Sequence, residues 1–304
     1  MIARVCCCLI LLTHSAFPCV WLLGTKYNGM RTFVSGLSRD RILRHYVEMD
    51  RHKDGAQMEA ELRGATEFTN RNDYCVALMY LGRSKEAVTL LEQLEKEEPG
   101  HYYIAANLGT AYELSGNNKD ALRWIQEGIR RNRSSHEDTE WLHVKILEAK
   151  IQQEKDGHYF EKHSVLDLHP EKIDLGITIA GHRLSSEEIA KAIEYQLMER
   201  TQFVKPPDAA VASLLVDYAA IDATRNSLES AKKVLRLAIQ YGYPSKNVQP
   251  LMKAFDRRIF WAKTMQYVLL TLAFVAVVWL FWALHKRGIF VISARGPKRN
   301  NWSS

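Results

Sequence analysis

Cysteine is nearly absent from the part of the chain that could fold into a body. Of five cysteines, Cys6, Cys7, Cys8 and Cys19 lie in an apolar stretch at the N-terminus, and only Cys75 remains beyond it. No disulfide can form within the body, and no paired-cysteine spacing for zinc occurs. The cysteines therefore say nothing of the compartment. Also missing are HExxH, GxSxG, a phosphate-cradling glycine loop and a dinucleotide fingerprint. The chain thus offers no motif for metal-assisted hydrolysis, acyl transfer or nucleotide chemistry. The expectation is a protein that is not an enzyme and holds no metal or cofactor.

Acidic residues are missing from both ends. Residues 1–35 contain Arg4, Lys26 and Arg31 and no acid; residues 257–304 contain eight basic residues and no acid. Of 41 basic residues, 30 remain between 36 and 256, against all 35 acidic ones. The body is mildly acidic, and the pI near 9.0 is a property of the ends. A nucleic-acid partner would need basic charge on the folded body, so none is expected.

That end charge flanks apolar segments. Met265–Leu284 is a 20-residue run without a charge, long enough at 1.5 Å per residue to cross the roughly 30 Å of a bilayer core. Trp261, Trp279 and Trp282 stand toward its ends, where interfacial aromatics anchor spans. It reads as a single transmembrane helix followed by a basic tail, 285–304. At the N-terminus Arg4, the apolar Val5–Leu12 and the small residues Thr13 and Ser15 have the layout of a secretory signal. An uncleaved anchor reaching Gly24 and a merely apolar start are the other readings. Both membrane readings of 1–24 place the body on the non-cytoplasmic side. Three basic residues before the C-terminal span and five after it agree, putting the tail in the cytoplasm. In a bacterial membrane the body would be periplasmic.

Two stretches repeat at an offset of 34 residues. Adding 34 to Tyr74, Cys75, Leu78, Gly82, Ala87, Leu91 and Leu94 gives Leu108, Gly109, Tyr112, Gly116, Ala121, Ile125 and Gly128. The spacing suits pairs of antiparallel helices. Cys75, Gly109, Ala87 and Ala121 are small where helices cross, Gly82 and Gly116 end first helices, and Pro99 stops a second. In these positions, most closely in NLGTAYELSGNNKDAL, the chain resembles the tetratricopeptide-repeat (TPR) superfamily. The resemblance implies an all-α solenoid of helical hairpins, with repeats at 70–103 and 104–137 within a repeat region 36–154. It also implies a protein or peptide partner held on the concave face. By that resemblance the face is lined by Asn72, Val76, Met79 and Tyr80 in the first repeat. Tyr103, Ala106, Asn107, Thr110 and Glu113 line it in the second. Asn107 matches the family's common asparagine, and aromatics with Met make a mixed apolar groove. Asn72 and Val76 stand where carboxylate-clamping members carry Lys and Asn.

Two repeats need flanking helices to cap their faces. Glu140–Ile151 is amphipathic, with Trp141, Val144, Leu147 and Ile151 (or Leu142 and Ile146) on one face. Ser185-Ser-Glu-Glu188 is a capping box opening a helix to about Arg200. Asp208–Thr224 and Leu228–Tyr241 form a degenerate hairpin within 185–256, without a turn glycine. Between lies an irregular insert, 155–184, in which Ile173–Ala180 is a short strand or a packed loop. His158, His163 and His169 fall on different helical faces and read as loop histidines rather than ligands. Cys75 reads as a compact hydrophobe, and His143 as packing or hydrogen-bonding beside Trp141. The expected function is a membrane-tethered scaffold on the non-cytoplasmic face. The alternative is an envelope enzyme or polymer-binding module with its site in the insert.

Overall fold

The computed structural model describes residues 21–35, 51–170, 177–179 and 182–288. Residues 1–20, 36–50, 171–176, 180–181 and 289–304 lie outside the described residues. A hairpin of antiparallel strands, β1 (Trp21–Thr25) and β2 (Arg31–Ser35), opens the description. Of the stretch read as a signal or anchor, only Trp21–Gly24 falls within the described residues, and it is strand. The Thr25 N–H and hydroxyl both donate to Glu229 (2.8 and 2.9 Å), which fixes this stretch as a strand on the body.

Five helices follow: α1 (Arg51–Leu62), α2 (Phe68–Tyr80), α3 (Ser84–Glu97), α4 (Tyr102–Leu114) and α5 (Asn118–Arg131). At the ends of α2 and α4 the local reason is visible. Gly82 and Gly116 take φ of 72° and 88°. Behind them Arg83 N–H bonds Leu78 O (2.8 Å) and Asn117 N–H bonds Tyr112 O (2.9 Å), closing the last turn of each helix. The hairpins pack through small residues. Cys75, Ala87 and Ala121 are fully buried. A Cβ added at Gly109 would lie 2.4 Å from Ile125 Cδ1. Arg131 clasps the two hairpins, donating to Glu95 (2.6 Å) and to His101 O (2.9 Å). Cys75, Leu78, Leu91, Leu94, Ile104 and Leu108 form the core of this half.

A short turn, Ser135–Asp138, leads into α6 (Glu140–Lys155). The insert then holds α7 (Tyr159–Lys162) and a hairpin of β3 (Ile177–Ile179) with β4 (His182–Leu184). Its first half is pinned by α9 (Ala209–Arg225). The buried Asp217 accepts from Ser164 Oγ (2.5 Å), Leu166 N–H (2.9 Å) and Leu168 N–H (3.0 Å). Helix α8 (Ser186–Thr201) starts on the Ser185/Glu188 capping box. The side chains of Asp208 and Ser227 cap α9 and α10 (Leu228–Gln240). Leu142, Ile146, Ile193, Leu197, Leu214, Val234 and Leu235 make a second, larger core between α6, α8, α9 and α10. Each such side chain contributes roughly 1.5–3 kcal/mol by leaving water.

Helix α11 runs unbroken from Ser245 to Lys286, 42 residues, or about 63 Å. Val248, Phe255 and Ile259 bury its first turns on the body, whereas Phe260, Trp261 and the whole apolar run are exposed. It is the one helix among the described residues long and apolar enough to cross a membrane.

Candidate docking groove

The first helices α2 and α4 lie side by side, and their shared face looks into a cavity of about 160 Å³. Val76, Met79, Tyr80, Ala106, Asn107, Thr110 and Glu113 line one side. The opposite side is the chain itself: His136, Glu140 and His143 from the α5–α6 region, and Gln196, Glu199, Arg200, Phe203 and Val204 from α8 and its exit. Tyr80 lies flat on Phe203, with ring centroids 4.7 Å apart, and its hydroxyl donates to Gln202 Oε1 (3.1 Å). The concave face is therefore narrowed at one end by a segment far away in sequence.

Beneath the apolar lip the floor is charged. Glu113 is buried and meets Arg200, whose second nitrogen is 3.1 Å from the carboxylate, together with Lys150 (2.7 Å) and His143 (2.8 Å). Burial alone would push the Glu113 carboxyl up. The Arg200 and Lys150 charges outweigh that and hold it well below the usual carboxylate range. His143 also faces Glu140 (3.4 Å), and Glu140 in turn pairs with His136. Burial raises the Glu140 carboxyl, but His136 and His143 bring it down to about 2. The same contacts raise His136, through Glu140 first, and raise His143 against its burial. Glu199 differs: it has no hydrogen bond among the described residues, and burial pushes its carboxyl up.

Not every expected groove residue reaches this space. Asn72 is buried; its Oδ1 accepts from Asn107 Nδ2 (2.8 Å) and its own amide donates to Asp73 (3.2 Å). Tyr103 stands outside the cavity, in an aromatic cluster with Phe68 (6.4 Å) and His101 (5.1 Å), because α4 turns that position toward the start of α2. Thr110 donates to its own helix at Ala106 O (3.2 Å). Glu113 is consumed by the charge network. Val76, Met79, Tyr80 and Thr110 remain to face an incoming chain. Sequence reasoning did not find His136, Glu140, Glu199, Arg200 or Phe203. No local motif marks them, and the Arg200–Glu113 contact joins residues 87 apart.

Elsewhere the candidates stay apart. His158 pairs with Glu161 (2.8 Å) and His163 with Asp167 (3.2 Å), both exposed. Among the described residues no group of three or more His, Cys, Asp or Glu could hold a metal. Cys75 is fully buried, and that burial pushes its thiol up to about 12, far from a reactive thiolate.

Residues 78–142 match the tetratricopeptide repeat family model, the stretch from the end of α2 to the start of α6. Neither curated proteins nor solved structures give a match. The matched stretch contains the Gly109 crossing, both helix-ending glycines Gly82 and Gly116, and half of the groove, and the helical hairpins of the described residues are consistent with a TPR helical solenoid.

Proposed function

We propose that this chain is a membrane-tethered scaffold that docks a protein or peptide in the groove between α2 and α4. The single observation behind this is the groove's composition. Four side chains of modest polarity, Val76, Met79, Tyr80 and Thr110, lie over a floor in which Glu113 is paired with Arg200, Lys150 and His143. Paired charges cost less to cover than lone ones, and an apolar lip gains from being covered. TPR repeats generally mediate protein–protein contact, which supports the same reading. The exposed run in α11 would supply the tether, with the body on the non-cytoplasmic face and the tail in the cytoplasm. In a bacterium that face is periplasmic. The reading assigns no catalytic step.

The test is crosslinking in the native membrane. Thr110→Arg should fill the groove and Tyr80→Ala should remove an anchor, costing about 2 kcal/mol or thirtyfold in affinity. Lys119→Ala, on the turn side of the second hairpin, should change little. Should both groove variants keep native helix content and recover the wild-type partner at undiminished yield, docking lies elsewhere.

A further inference from the structure

The strand hairpin and the last helix form a composite surface whose purpose the groove does not explain. Tyr27, in the hairpin's turn, packs edge-on against Phe255 (6.4 Å) and lies under the Arg258 guanidinium (4.2 Å). Four residues later, Arg31 donates to Gln266 Oε1 (3.2 Å), the second residue of the apolar run, and pairs with Glu229 (3.0 Å). The hairpin therefore runs along α11 toward the apolar run, its turn at Phe255 and Arg258 and its Thr25–Arg31 pair at Gln266 and Glu229. Leu23 and Phe33 are cross-strand partners, as are Thr25 and Arg31. Alternation puts both pairs on one face, the Leu23–Phe33 pair one step further along. One step is two residues, about 7 Å. Yet Leu23 and Phe33 are 44 % and 53 % exposed, and on α11 Phe260, Trp261 and Met265 are more exposed still.

We propose that this hairpin is a membrane foot: Leu23 and Phe33 enter the headgroup–acyl boundary of the bilayer that α11 crosses, on the body's side. The inference rests on the reading of Met265–Leu284 as a span and adds a second point of attachment. Three features favour lipid as the occupant. The apolar pair adds exposed apolar surface close to where Arg31 meets the start of the helix's exposed run. Arg257 and Lys263 are exposed about two turns and half a turn before the run, where anionic headgroups lie. A two-stranded hairpin also keeps unpaired backbone groups along its outer edges. These can be wetted at the interface but not in the hydrocarbon core, which fixes the depth as interfacial.

The full chain, reconstituted into phosphatidylcholine–phosphatidylglycerol vesicles, tests this with photoreactive benzoylphenylalanine replacing one residue at a time. Phe33 and Leu272 should form covalent lipid adducts, detected by mass. Asn28, in the turn and about 12 Å above Gln266 along the helix axis, should form about tenfold fewer. Adducts at Leu272 with none above the Asn28 level at Phe33 overturn the foot and leave the span. Absence of adducts at Leu272 overturns both. Leu23 serves as the reporting position if the Phe33 variant loses native helix content, and the same outcomes decide.

Discussion

The Tyr80 ring stacks on Phe203 within 9° of parallel, joining the first repeat to the segment that leaves α8. Neither ring belongs to the other's hairpin, so this contact reports whether the two cores are docked. A double-mutant cycle of Tyr80→Ala and Phe203→Ala should give a coupling of about 0.5–1.5 kcal/mol beyond lost area. Additive effects would mean that the groove's far wall is not seated in solution.

Gly109 and Gly128 sit in successive helices and should respond oppositely to a methyl group. At Gly109 it would meet Ile125 at 2.4 Å; at Gly128 the nearest atom is 3.6 Å away. Gly109→Ala should destabilise by about 1–3 kcal/mol through overpacking. Gly128→Ala should stabilise by up to about 1 kcal/mol through helix propensity. Thermal unfolding of the full chain in detergent separates them, and equal shifts would contradict the hairpin packing.

The Glu113–Arg200 pair should be costly to break and cheap to replace. Arg200→Met leaves a buried carboxylate short of its main partner and should cost about 3–5 kcal/mol. Adding Glu113→Leu should recover much of that loss, with Lys150 partly exposed and His143 still facing Glu140. Denaturant midpoints of the single and double variants give the measurement.

Asp217 should make stability fall as pH rises. Burial raises its carboxyl to about 7 against an unfolded value of 3.8. Between those pH values the folded state holds the extra proton, so stability is greatest below about pH 4 and drains away toward pH 7. Against Asp217→Asn, the wild-type advantage should shrink by up to about 4 kcal/mol across that window. A pH-independent difference in denaturant unfolding would show that the Ser164–Leu168 contacts keep the carboxylate ionised.

Reporters fused after Ser304 and inserted at Gly157, on the exposed loop after α6, should lie on opposite sides of the membrane. Activity of both on the cytoplasmic side would reverse the proposed orientation.

The repeats were legible because their determinants are local. Glycine at a helix end and a small residue at a crossing are dictated within one hairpin, and the 34-residue offset repeats them. The apolar run was legible for the same reason: composition alone decides it. The groove's second wall was not, since Glu113 gives no sign in sequence that an arginine from α8 will neutralise it. Tyr103 could be placed on the right helix but not on the side of it that faces away from the groove. Which way α4 rolls depends on Phe68 and Asn72 across the interface. The N-terminal hairpin was hidden by apolar residues on both sides of Gly24, which resemble the end of a leader until Glu229 is brought to Thr25.

Helix α11 contains no break between the turns buried by Phe255 and those exposed from Phe260 onward. Body and apolar run are therefore one lever with no joint. Any force that tilts or twists residues 265–284 reaches the second core undiminished, and the groove keeps a fixed height and bearing relative to that run. A ligand on a long flexible stalk and one lying flat would meet this groove very differently, so reach, as much as affinity, would sort its partners.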